Sequence, residues 1–241
     1  MTQTIRRLGI IGDVHCEHLR LDRALGWLAG QQLDAVICTG DLADGVGCLD
    51  ECARMLEQAQ VVCVSGNHDR WLLTDRVRHL ADAQRRCDLN DATIEYLSGL
   101  KKTESISTTA GPALLCHGVQ QDDLGKVWPG TQRSQPERHA GMDSLLLDEQ
   151  VSIMINGHLH YRVLIDFHNL LLINAGTLRG EHGGIAVLDI EADEIAAYEF
   201  ETSGPGLVRV VEHALLDHDR ECWKNPQAFS GDWTPVTLYG H

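Results

Sequence analysis

In RRLGIIGDVH, residues 6–15, a short apolar run within Arg6 to Ile11 ends on Gly12-Asp13-Val14-His15. The run is long enough for a strand, and Leu21, Ala24, Leu25 and Leu28 then recur at the i, i+3, i+4, i+7 spacing of an amphipathic helix. A strand followed by a helix is predicted, with the polar cluster in the turn between them. The unit repeats: Asp34 to Cys38 is strand-like, Gly40-Asp41 follows, and Leu49, Cys52, Ala53 and Leu56 mark a second helix before a third strand at Val61 to Val64. Strands alternating with helices of this length predict βαβ units and a parallel sheet, whose ligands bind where the strand carboxyl ends meet the loops.

After a helix predicted around Asp88 to Leu100 the pattern changes. Most of the remaining chain reads as short strands: Thr103 to Thr109, Ala113 to Cys116, Val151 to Ile155, Arg162 to Asp166, Leu170 to Ile173, Ile185 to Ile190, Ile195 to Phe200 and Leu207 to Val211. Two stretches depart from this, a polar segment from Val119 to Gly141 and a short helix predicted from Met142 to Gln150. At 241 residues the chain is long enough for one α/β domain with a sizeable core, and 1–241 is read as a single domain. Within it, 119–141 is expected to border a substrate cleft and 213–241 to form a C-terminal tail. That tail carries Trp223, Phe229, Trp233 and Tyr239 without periodicity, so it packs over the domain or against a second subunit of a homo-oligomer.

The composition narrows the class. A net charge of −15, with no local basic run, repels a phosphate backbone and disfavours tight binding to long nucleic acid. No apolar stretch approaches the roughly 20 residues of a membrane helix, and the first 15 residues lack the features of a secretion signal. Several of the eight cysteines lie in apolar strand-like runs, where Cys behaves as a small hydrophobe, so a cytoplasmic, reducing location is expected. Cys48 and Cys52 are one helical turn apart but lack the paired motif of a zinc site.

Five polar clusters each follow an apolar run: Asp13-Val14-His15, Gly40-Asp41, Gly66-Asn67-His68-Asp69, His117-Gly118 and Gly157-His158-Leu159-His160. A strand delivers the side chains at its end to one rim of a sheet, so five strand ends can converge carboxylates and imidazoles that no single segment could assemble. Such a convergence is a metal site. Oxygen and nitrogen donors without thiolates suit Mn, Fe, Ni, Co or Zn without selecting among them.

In order, these clusters resemble the signature of the calcineurin-like metallophosphoesterase superfamily, and in particular its small bacterial and archaeal phosphodiesterase-like members. The match runs from Asp13 to His160. The resemblance implies a four-layer α/β sandwich of two facing mixed β-sheets flanked by helices. It also implies two divalent cations, one held by Asp13, His15, Asp41 and His160 and the other by Asp41, Asn67, His117 and His158. Two cations about 3.5–4 Å apart can acidify a shared water for in-line attack on phosphorus. His68 is then placed to protonate the departing oxygen, with Asp44 orienting it.

Departures refine the expectation. Protein-phosphatase-like members carry Arg directly after the equivalent of Asp44, where this chain has Gly45. The segment Asn174-Ala175-Gly176-Thr177 is similar to the Asn-Pro-Gly-Ser of phosphodiesterase-like members, with Ala175 in place of proline. Arg70 and Arg179 are candidate phosphate contacts. A small phosphodiester is the expected substrate, ahead of a phosphomonoester or nucleotide; a non-catalytic scaffold is the reading from another class.

Overall fold

The computed structural model describes residues 4–128, 137–148, 150–167, 169–201, 206–214 and 221–223. The opening stretch forms β1 (Arg7–Ile11), then α1 (His18–Ala29), β2 (Ala35–Cys38), α2 (Leu49–Gln58) and β3 (Val62–Cys63). These three strands are parallel, and the register from Leu8 opposite Ala35 to Ile11 opposite Cys38 brings the residues that follow to one level. Next come α3 (Asn67–Leu73), a single 3₁₀ turn at Arg86–Asp88 and α4 (Asp91–Gly99). The second half is mostly β: β4 (Thr103–Thr108), β5 (Gly111–Cys116), α5 (Ala140–Asp148), β6 (Ile153–Asn156), β7 (Arg162–Asp166), β8 (Leu171–Ala175), β9 (Gly184–Asp189), β10 (Glu194–Phe200), β11 (Leu207–Ala214) and β12 (Glu221–Trp223).

The strands make two six-stranded mixed sheets, ordered β11-β10-β9-β1-β2-β3 and β12-β7-β8-β6-β5-β4. Alternation along each strand explains why both sheets are covered on two faces. Ile10, Ile37, Ile153, Ile155, Ile173 and Leu188 point into the layer between the sheets. Their neighbours Ile11 and Cys38 instead meet α1 and α2 through Leu21, Leu28, Cys52 and Leu56. Met154 and Leu172 meet α5 through Met142 and Leu146. A period of two with apolar residues in both phases is what a strand buried on both faces requires. The result is the four-layer α/β sandwich that the resemblance implied.

Several elements differ from the sequence expectation. The helix around Asp88 to Leu100 starts at Asp91, because the Asn90 side chain caps it by accepting from the Thr93 N–H at 2.8 Å. The third strand is only two residues long. The helix α3 is unannounced by periodicity, since it begins inside the polar cluster at Asn67. Part of the expected tail belongs to the sheets: β11 continues to Ala214, and β12 pairs antiparallel with β7. The aromatic residues Phe229, Trp233 and Tyr239 lie outside the described residues. Among the described residues, no helix is long and apolar enough to cross a membrane, and every cysteine whose side chain is described is a free thiol.

Candidate metal centre

The carboxyl ends of β1, β2 and β3 lead into Asp13 and His15, Asp41, and Asn67, while the ends of β5 and β6 in the facing sheet lead into His117 and into His158 and His160. All seven meet at one rim. Donor atoms of Asp13, His15, Asp41 and His160 lie within 4.8 Å of one another, as do those of Asp41, His117 and His158. Asp41 belongs to both groups. The Asn67 oxygen joins the second, 3.0 Å from His117 Nε2 and 2.9 Å from His158 Nδ1.

The imidazoles are aimed by what their other nitrogens hold. His15 Nδ1 lies 3.0 Å from the Ala43 carbonyl and 3.1 Å from that of Asp44, and His117 Nδ1 lies 2.8 Å from the Thr39 carbonyl. With Nδ1–H donating, each Nε2 is left as a lone pair facing the rim, the state a cation requires. The carboxylates are anchored in the same way. Asp13 accepts from Thr39 Oγ1 at 3.0 Å and from the His158 N–H at 2.8 Å, and Asp41 accepts from the His68 N–H at 2.8 Å.

These residues fit divalent cations on their own geometry. His15 Nε2 and His160 Nε2 are 2.9 Å apart. The Asn67 oxygen faces acceptors only, the two imidazole nitrogens above and the Asp123 carbonyl at 3.2 Å. Turned end for end, the amide would donate to those groups; oxygen inward is the orientation that a cation asks for. Glycine supplies the room: a Cβ at Gly66 would sit 2.1 Å from Asp41 Oδ1, and one at Gly157 would sit 2.1 Å from Asp13 Oδ1.

The backbone is strained here. His15, Asp41, Asp44, His158 and His160 all have φ between 44° and 69°. A non-glycine residue in this region costs on the order of 1 kcal/mol or more and persists where the surroundings impose it, as they do at functional sites. The charges are equally concentrated. Burial opposes ionisation of Asp41, but His117 and its neighbours outweigh it and hold the carboxyl well below the usual range. Burial likewise opposes charge on His117, yet Asp41 and Asp13 lift it to about 10. His158 is pushed down to about 4 by burial and by the charge on His117. The cluster thus demands positive charge, and a proton on His117 meets in part the demand that a cation would meet in full.

Beside the cluster, His68 Nδ1 lies 2.7 Å from Asp44 Oδ2. Burial lowers the His68 pKa, but Asp44 and Asp41 reverse the sign and the net shift is upward. The rings of His68 and His15 stand edge to face, with centroids 5.1 Å apart.

Residues 7–193 match the profile of the Calcineurin-like phosphoesterase superfamily domain. The chain belongs to the calcineurin-like phosphoesterase superfamily. Solved structures agree on the fold. A metallophosphoesterase from Sphaerobacter thermophilus superposes with a TM-score of 0.61 at 18% identity, over 83% of this chain and 89% of that one. An archaeal phosphodiesterase gives 0.52 at 17%, over 80% and 99%. The Escherichia coli phosphoesterase Yfce gives 0.53 at 13%, over 86% and 98%. No curated protein matches the sequence.

Other residues give the superfamily rim its shape here. Asp69, quoted in the sequence only as part of a motif, is fully buried and accepts from the backbone N–H groups of Gly66, Leu42 and Ala43 at 2.9, 2.8 and 3.0 Å. It thereby ties α3 to the Asp41 turn. Its position three residues after Gly66 is the signal that could have revealed this role. Burial and the nearby charge of Asp41 raise its carboxyl to about 7. In the Asn174–Thr177 segment, Thr177 Oγ1 donates to the Asp13 carbonyl at 2.8 Å and the Asn174 amide donates to the Gly157 carbonyl. This ligates two strand ends to each other. Arg70 is engaged by Asp123, with contacts of 2.5 and 2.9 Å, and Arg179 by Asp82 at 2.8 Å. Both candidate phosphate contacts therefore already hold carboxylates. His139 and His182 face Asp122 and Glu199 respectively, away from the two donor groups.

Proposed function

We propose that this chain is a dinuclear, divalent-metal-dependent phosphoesterase that prefers small phosphodiesters. In this reading Asp13, His15, Asp41 and His160 hold one cation, and Asp41, Asn67, His117 and His158 hold the other, the ions being drawn from Mn, Fe, Ni, Co or Zn. When bound, such ions supply Lewis acidity toward the phosphoryl oxygens and lower the pKa of a water.

The chain's own groups account for the rest. Asp41 sits between the two donor groups and sets their spacing. His68 carries the proton that the departing ester oxygen needs, and the Asp44 carboxylate behind it favours the charged imidazole. That His68–Asp44 contact, beside the two donor groups, is the observation that carries the reading: an alkoxide is a poor leaving group until it is protonated, so an acid here extends the chemistry to ordinary diesters. The segment at 119–128 is read as a wall of the substrate cleft, because Asp123 is bonded to Arg70 on the helix that carries His68, and Trp128 packs against Tyr161 beside His160 with ring centroids 5.4 Å apart. Asp122 and Lys126 lie in the same segment; Arg133 is outside the described residues.

The test is hydrolysis of bis-p-nitrophenyl phosphate beside p-nitrophenyl phosphate by metal-stripped protein, with Mn, Ni, Co, Zn and Mg restored separately. Metal-restored turnover that favours the diester is expected. Preference for the monoester would move the assignment to a phosphomonoesterase or nucleotidase. Failure to take up any of these metals, with no turnover, would leave a non-catalytic scaffold.

A further inference from the structure

Asp44 stands outside both groups of cation donors. Its side chain is fully buried, a costly place for a carboxylate unless donors surround it. They do, and most come from a segment with no motif. Arg78 Nε lies 2.6 Å from Asp44 Oδ2, and Arg78 Nη2 donates to Oδ1 at 3.0 Å. The Gln84 N–H adds a contact to Oδ1 at 3.1 Å, and the Gln84 side chain accepts from the Asp44 N–H at 2.7 Å and donates to the Gly45 carbonyl at 2.8 Å. Arg78 also closes the segment on itself, donating to the carbonyls of Arg76 and Gln84 at 2.6 and 2.5 Å. Its side chain is only 7% exposed, so it is built into the rim rather than offered to solvent or substrate.

We propose that Arg78, seconded by Gln84, is a positioning residue for the acid: it fixes the plane of the Asp44 carboxylate so that the His68 imidazole has a single orientation toward the leaving oxygen. This rests on the reading of His68 as the general acid. A carboxylate held only by one imidazole can turn about its terminal torsion, which is broad and roughly two-fold. A planar guanidinium against both oxygens, hydrogen-bonded to Oδ1 through Nη2 and in ion-pair contact with Oδ2 through Nε, restricts that freedom in a way that the point charge of a lysine does not. The planar group defines the carboxylate plane, the carboxylate fixes Nδ1–H of His68, and Nε2 is thereby aimed. Arg78 reaches the Asp44 carboxylate and not the Asp44 carbonyl that faces His15 Nδ1, so its contribution is assigned to the protonation of the leaving group and not to cation binding.

The experiment measures kcat and KM for two methyl phosphodiesters, one with a p-nitrophenyl and one with a phenyl leaving group. The proteins are wild type, Arg78→Ala, Arg78→Lys, Gln84→Ala and His68→Ala, each assayed after its bound metal is quantified. For Arg78→Ala we expect kcat on the phenyl ester to fall about tenfold or more, with a smaller fall on the p-nitrophenyl ester and KM and metal content retained. Ethylguanidinium should restore part of the loss, and Arg78→Lys should recover less than the free guanidinium does. In the metal-free protein the slowly exchanging imidazole N–H resonance of His68 should disappear in Arg78→Ala. Equal losses on both esters, or an unchanged kcat with the resonance retained, would overturn the proposal. If Arg78→Ala does not fold, Arg78→Lys and Gln84→Ala decide by the same leaving-group comparison. Should His68→Ala show no leaving-group dependence, the general-acid reading fails and takes this proposal with it. Dependence in His68→Ala without dependence in the Arg78 variants defeats the proposal alone.

Discussion

The two sheets make unequal contributions to the rim. The first provides both carboxylates, the amide and one imidazole, in Asp13, Asp41, Asn67 and His15, all of them buried. The second provides imidazoles only, and they are graded: His117 is buried, while the His160 side chain is 42% exposed. The anchoring hydrogen bonds run between the sheets. His117 from the second is aimed by the Thr39 carbonyl of the first, and Asp13 from the first is held by the His158 N–H of the second. Neither sheet presents a finished set of donors by itself. The contrast teaches that the carboxylate side is the fixed part of the site and that the outermost histidine is its adjustable part.

Substitution can break this comparison. The largest effect is expected for Asp41→Ala, which removes the carboxylate common to both donor groups: turnover should fall to background and metal content, measured by elemental analysis, should drop in both groups. Retention of a full complement of metal would mean that the groups are independent. Next in size is the difference between His117→Ala and His160→Ala. The first removes a buried, carbonyl-anchored imidazole and the second an exposed one, so cation affinity by titration calorimetry should weaken at least about tenfold more in the first, about 1.4 kcal/mol. Equal losses would erase the distinction between fixed and adjustable sides. The smallest is Thr39→Val, which deletes the hydroxyl bonded to Asp13 Oδ1 but keeps the carbonyl that aims His117. Affinity should weaken by about tenfold, the low end for partners that orient a metal-bound residue. No change would show that Asp13 is held well enough by the His158 N–H.

What the sequence reveals follows from how far each interaction reaches. Strand ends are legible because an apolar run that stops at Gly-Asp or Gly-His is a local pattern, so Asp13, Asp41 and His158 could be named before any coordinates. The strand pairings, by contrast, join residues far apart: β1 lies between β2 and β9, and nothing near residue 7 announces residue 189. The same reason hides Arg78 and Gln84. They come from an aperiodic stretch whose arginines look like surface residues, and only the folded chain brings them to Asp44, 34 and 40 positions earlier. Arg70 shows the reverse case, a cation that its neighbourhood to Asn67 recommended for phosphate but that Asp123 occupies. The helix α3 escaped notice because its first turn is made of the site's own polar residues.

The closure at Asp13 has a consequence for biosynthesis. The Asp13 N–H and carbonyl are bonded by Gly176 and Leu178, and Thr177 adds its hydroxyl across 164 positions of sequence. At ribosomal speeds of about 5–20 residues per second, that separation corresponds to about 8–30 seconds of elongation. For most of that interval the nascent chain carries Asp13, His15 and Asp41 without His158, His160 and the Gly176–Leu178 clamp that complete them, and β1 lacks its β9 neighbour throughout. Assembly of the two donor groups is therefore a late event in the life of each molecule, and a prematurely terminated chain would leave the ribosome with an unpaired β1 edge and an unfinished rim.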